Sequence, residues 1–207
     1  MNTFKTLGLL FVVVALAYGD EDCVCRKCQY ALASKMISLN GDFITPDQAV
    51  RMIDVAGGKY VNGTDLHEIM QYFKANSDQF ITTAQINQIL AANTKINTVL
   101  GSSNATLQFM RLAFNISMNF ISADKATLDE AIAASKAAGD NFDTQKQVVC
   151  RTIFTLLTPE KRVQLSEAFI AHISTDKRAD IIAALTPIMK MDGIDTNVPE
   201  STDGPVF

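Results

Sequence analysis

Apolar positions in this chain recur at helical spacing. Leu165, Phe169 and Ile173 step by four, Val163 and Ile170 lie seven apart, and Val149, Ile153, Phe154 and Leu157 form a comparable face. Ile86, Ile89, Leu90 and Ile96 repeat the pattern upstream. Residues three, four and seven apart share one side of an α-helix, so each run predicts a helix with one buried stripe. No sustained alternation of apolar and polar residues calls for a strand.

A recurring phrase marks the helix starts: an apolar residue, then Ser, Thr or Asp, then helix-starting residues. It occurs at Ile44-Thr45-Pro46-Asp47-Gln48, Ile81-Thr82-Thr83-Ala84-Gln85, Ile121-Ser122-Ala123-Asp124, Phe142-Asp143-Thr144-Gln145, Leu157-Thr158-Pro159-Glu160 and Leu185-Thr186-Pro187. The side-chain oxygen accepts from N–H groups that the first turn leaves without partners, and Pro suits the first helical position. Thr45 with Gln48, and Thr82 with Gln85, fit the capping box. The class predicted is all-α, a compact multi-helix bundle of short capped helices. Helices are expected over 27–39, 46–56, 64–75, 83–99, 105–120, 123–137, 144–157, 159–173 and 175–185, with a short turn at 187–191 and a flexible C-terminal tail over 192–207.

The run Phe109, Met110, Leu112, Phe114, Ile116, Met118, Phe120 and Ile121 reads as apolar on every side. Such a helix is normally central to a core. The sharper alternative is that Phe109, Met110, Phe114, Met118 and Phe120 line a cavity for an apolar ligand, and a partner-binding surface is a third reading.

Composition narrows the classes. Apolar residues make up 48% and charged residues 19%, so the chain can bury a core. With 18 Lys+Arg against 22 Asp+Glu, the net charge of -4 and the lack of a basic run argue against a nucleic-acid partner. Two His and no Trp leave little material for acid–base catalysis near neutrality.

Residues 1–19 combine the basic Lys5, an apolar stretch from Leu7 to Ala17 and small residues at Ala17 and Gly19. That is the layout of a secretory signal peptide, too short for a membrane span. The expected domains are this leader, a helical domain over 20–191 and the tail, in a secreted, extracellular protein. Export gives meaning to three glycosylation sequons, at Asn62, Asn104 and Asn115. It also makes Cys23, Cys25, Cys28 and Cys150 read as two disulfides, one of which ties Cys150 to the N-terminal group. A Cys23–Cys25 bond would close a strained ring. A four-thiolate zinc site and a redox C-x-x-C at Cys25–Cys28 are the competing readings, neither favoured in a secreted chain without βαβ context.

His67-Glu68-Ile69-Met70-Gln71 misses the zinc-protease pattern at its second ligand, and no nucleophile elbow or phosphate-binding glycine loop is present. Ile44 and Ile81, 37 residues apart, resemble the paired loops of EF-hands. Ile37 and Lys74 would then occupy the first-ligand position and Gln48 and Gln85 the last, where a bidentate Glu belongs. No metal and no cofactor are therefore expected.

The segment Tyr72-Phe73-Lys74-Ala75-Asn76 followed by Phe80-Ile81-Thr82-Thr83-Ala84-Gln85-Ile86 resembles the opening of the nematode SXP/RAL family of secreted antigens. Phe142-Asp143-Thr144-Gln145-Lys146 through Leu157-Thr158-Pro159-Glu160-Lys161-Arg162 is similar to that family's second half. The likeness covers about residues 69–172, and the Trp often found after the family's first Thr motif is missing here. It implies a small, helical, secreted antigen without catalytic residues. The expected function is a secreted, non-enzymatic binding or interaction protein at the host interface. The alternative is a carrier of an apolar small molecule, a fatty acid or retinoid, in an α-helical cavity.

Overall fold

The computed structural model describes residues 26–156 and 158–207, without the side chains of residues 26–28 and 40. Among these residues the chain is all-helical. In order come α1 (Arg26–Asn40), α2 (Pro46–Val61), α3 (Leu66–Ala75), a 3-10 turn (Ser77–Gln79), α4 (Thr83–Leu100) and α5 (Ser103–Ala123). They are followed by α6 (Lys125–Ala137), α7 (Phe142–Leu156), α8 (Pro159–Ile170) and α9 (Arg178–Leu185).

Three of the six expected caps form as the sequence dictates. Thr45, Thr82 and Thr158 each accept from the backbone N–H three residues on, and Thr45 and Thr82 complete capping boxes with Gln48 and Gln85. The other three differ. Ser122 lies inside α5, whose apolar stripe runs on through Ile121. Helix α7 starts at Phe142 because Asn141 Oδ1 accepts from Thr144 N, ahead of Asp143. Thr186 ends α9 instead of starting a helix, and its hydroxyl donates back to Ile182 O. Asp65 and Ser102 are caps that the phrase did not mark. Gly101, at φ +76°, ends α4 in the left-handed conformation that favours glycine and turns the chain into α5.

Side chains gather into two cores. The first joins α1, α2, α3, α6 and α7 around Leu32, Met36, Ile69, Met70 and Phe73. The second joins α4, α5, α8 and α9 around Ile96, Phe109, Ile170, Ile173, Ile181 and Ile188. The chain enters the first core, crosses to the second at α4, returns at α6 and crosses again at α8. Helix α5 serves both: Phe109, Met110 and Ala113 lie in the second core, whereas Phe114, Met118 and Ile121 pack on the first.

That double duty explains its composition and corrects the reading of α5 as apolar all round. Gln108, Arg111, Asn115, Asn119 and Ser122 form an exposed stripe along the helix. The apolar excess comes from having two cores to fill, one on each flank.

Residues 192–207 form no helix or strand, yet they are a docked strap and not a loose tail. Arg178, only 2% exposed, donates through Nε to Ile173 O (2.9 Å) and through Nη1 to Thr196 O (2.9 Å) and Val198 O. Arg162 donates to Lys190 O (3.0 Å) and Asp192 O (2.6 Å). Ser201 N and Phe207 N donate to Ala171 O and His172 O, and the Phe207 ring meets Phe109 edge-on at 5.7 Å. Polar composition suggested disorder; two buried guanidiniums that donate to backbone carbonyls supply the order that side-chain hydrophobicity does not.

Candidate functional site

Helix α2 carries Gly57 and Gly58 in its interior, and the sequence reading stopped the helix just before them. Glycine in a helix costs about 1 kcal/mol relative to Ala. Here the helix runs on through Val61, and the missing side chains leave room beside α7. A Cβ on Gly57 would meet only Lys146 O, at 4.0 Å, and one on Gly58 would touch the ring of Phe142 and the stem of Lys146.

Beside Gly57 lies a cavity of about 520 Å³. Its inner wall is apolar: Leu32 of α1, Ile53 and Ala56 of α2, Leu66 and Ile69 of α3, Leu128 of α6, and Val149, Cys150 and Ile153 of α7. Its rim is polar and more exposed, formed by Gln29, Tyr30, Arg51, Asp54, Asp143, Lys146 and Gln147. Pockets of roughly 300–1,000 Å³ with apolar walls and a few convergent polar groups are the usual sites for small ligands.

Three of the rim charges are paired with one another. Lys146 Nζ lies 2.8 Å from Asp54 Oδ1 and 3.2 Å from Asp143 Oδ1, and Gln29 Nε2 donates to the same Asp54 oxygen at 3.0 Å. Burial alone would lower the Lys146 pKa, but the bonds to Asp54 and Asp143 outweigh it and hold the ammonium above the ordinary lysine value. Arg51 donates to Gln79 O (2.9 Å) and lies over the Phe80 ring. Tyr60, which also lines the cavity, donates to Oδ1 of the exposed Asp129 at 2.6 Å. Burial first, and then that bond, push the Tyr60 phenol well above its usual range, while bonds from Lys125 and Tyr60 hold the Asp129 carboxyl below its own.

The residues singled out from sequence lie elsewhere. None of Phe109, Met110, Phe114, Met118 and Phe120 lines this cavity. Phe109 and Met110 are buried in the second core, Phe114 and Met118 are half-buried against the first, and Phe120 is half-buried. Asn62, Asn104 and Asn115 are all exposed, Asn115 on the polar stripe of α5. The pairings proposed for Cys23, Cys25 and Cys28 fall outside the described residues. Cys150 is buried on α7, in the core that α1 closes. His67 is exposed beside Gln71, whereas His172 is buried with Nδ1 3.0 Å from Pro205 O.

The EF-hand-like spacing survives as architecture. Helices α1–α2 and α3–α4 form two successive helix–loop–helix units. Where a calcium loop would place two carboxylates, Gln48 and Gln85 exchange amide hydrogen bonds: Gln48 Nε2 donates to Gln85 Oε1 (2.7 Å) and Gln85 Nε2 to Gln48 Oε1 (2.9 Å). Gln85 also donates to Phe43 O. The two amides thus satisfy each other and pin one unit to the other. Among the described residues no group of three or more His, Cys, Asp or Glu side chains gathers as metal ligands would. No helix there is long and apolar enough to cross a membrane.

The cavity residues that sequence reading missed, Gly57, Asp54 and Lys146, left one usable signal. Two adjacent glycines sit inside an apolar-periodic segment, between Ile53 and Tyr60. Read as a turn, they hide the site; read as a place where a helix gives up side chains, they mark it. No protein-family model matches the chain, and neither a curated protein nor a solved structure shows significant similarity to it.

Proposed function

We propose that the chain is a secreted, non-enzymatic binding protein that carries an apolar small molecule between α2 and α7. The observation that carries this reading is the 520 Å³ cavity, apolar within and polar at its rim. On this reading the ligand lies in the first core, and not along α5 where the sequence suggested it. A docking surface for a protein partner draws less support. Among the described residues the large hydrophobic side chains classed as exposed are Tyr30, Phe142 and Val206, and Tyr30 belongs to the cavity rim. The antigen-like role implied by the resemblance over 69–172 is compatible with a carrier and adds no site to it.

Gly57 provides the test. A Leu side chain there would fill the cavity from a backbone that has room for its Cβ. The neutral dye N-phenyl-1-naphthylamine should bind the native protein saturably with blue-shifted emission. Gly57→Leu should abolish that binding while thermal stability is kept or raised. Absence of dye binding to the native protein, or undiminished binding to Gly57→Leu, would refute the carrier reading.

A further inference from the structure

We infer that the molecule carried in the α2–α7 cavity has an uncharged, hydrogen-bonding head group, a long-chain or polycyclic alcohol and not a fatty acid; this rests on the carrier reading. The argument is one of charge complementarity at the rim. Among the described residues four charged side chains line the cavity, the cations Arg51 and Lys146 and the anions Asp54 and Asp143, and they cancel.

Neither cation stands ready for a carboxylate. Lys146 already sits between Asp54 and Asp143, at 2.8 and 3.2 Å, so an incoming carboxylate would be the third anion around one ammonium. Arg51 donates to Gln79 O and lies over the Phe80 ring, neither of which lines the cavity, so its guanidinium is drawn toward the 3-10 turn. A charged head of either sign would shed water on entering and would find Lys146, Asp54 and Asp143 already paired with one another.

A hydroxyl has a different fit. An ammonium carries three donors, and the two carboxylates engage two of them, leaving the third for a ligand oxygen. The ligand's own O–H can donate to a remaining Asp54 or Asp143 lone pair, and Gln147 brings an amide to the same rim. The apolar body then lies along the inner wall beside Gly57, Ile69 and Val149.

Dodecanol, dodecanoate and dodecylamine share a twelve-carbon chain and carry a neutral, an anionic and a cationic head at pH 7. In competition with the neutral dye, dodecanol should displace it at a concentration at least about tenfold below either ion, equivalent to about 1.4 kcal/mol. Dodecanoate or dodecylamine binding as tightly as dodecanol would overturn the head-group inference and leave the carrier reading standing. Failure of the dye and of all three chains to bind would remove both. The double variant Asp54→Asn with Asp143→Asn strips the anions from Lys146 and should move the preference toward dodecanoate by about tenfold or more. An unchanged ratio in a folded double variant would overturn the inference, and the native three-way comparison decides it without any variant.

Discussion

The two cores of this protein are built from similar lengths of helix and reach opposite ends. The second is solid. Ile96, Ile170, Ile173, Ile181 and Ile188 are each essentially inaccessible, and Phe109 fills the space between them and the strap. The first is hollow. Its helices bring Gly57 and Gly58, a paired Lys146, and a phenol hydrogen-bonded to Asp129 into the same layer. Dense packing follows when branched side chains meet across every interface. A void persists where one helix gives up its side chains and the polar groups around it satisfy one another. The difference teaches that dense packing and open space are divided between regions of one bundle, and each can be disturbed separately.

The largest effect should come from hollowing the solid core. Phe109→Ala should destabilise the protein by about 3–5 kcal/mol in urea denaturation. Phe114→Ala should cost clearly less, because Phe114 is only half-buried against the first core. Equal losses at the two positions would erase the contrast between the cores. Next in size is Arg178→Met, which leaves the carbonyls of Ile173, Thr196 and Val198 without their donor. A loss of about 2–3 kcal/mol is expected, with faster hydrogen exchange at the amides of Ser201 and Phe207. Unchanged exchange there would mean that the strap holds without its arginine.

Two substitutions of about 1 kcal/mol should act in opposite directions. Thr158→Ala removes the acceptor for Lys161 N at the start of α8 and should destabilise by that amount. Gly57→Ala relieves the glycine penalty inside α2 and, with open space beside it, should stabilise by a similar amount. A destabilised Gly57→Ala protein would show that the hollow core has no room there.

The mildest effect is expected from alkali, and both groups that cause it belong to the layer around the first core. Tyr60 and Lys146 both have raised folded-state pKa values. Each therefore contributes stability that is complete below its unfolded pKa and is lost as pH rises above about 10. Tyr60→Phe should flatten the decline in stability above pH 10. Asp129 acts in the opposite direction, its lowered pKa withdrawing stability as pH falls below about 4. A decline above pH 10 that persists in Tyr60→Phe would shift its cause to Lys146.

Much of the helical fold was legible because caps and apolar periodicity are local. Thr45, Thr82 and Thr158 satisfy N–H groups within three residues of themselves, so no tertiary knowledge is needed to place them. The strap was not legible, since its order comes from Arg162 and Arg178, whose carbonyl partners in and just before it lie 18 to 30 residues away. Nor was the cavity, for a void is a property of two facing helices and is written in neither alone. Helix α5 misled for the same reason. Its Phe and Met residues exceed what one face needs, and only the second core explains the surplus.

The alternation of the chain between cores has a consequence for how it comes apart. Helices α1–α3 and α6–α7 share one interior while α4–α5 and α8–α9 share the other, so no single cut in the sequence separates the two. Cleavage at the α4–α5 turn would give each fragment an incomplete share of both interiors. Neither half should fold by itself, and recombined halves should regain helicity only on mixing. The molecule should fold and unfold as one cooperative unit, the slowest step of folding set by closing interiors whose walls are distant in sequence.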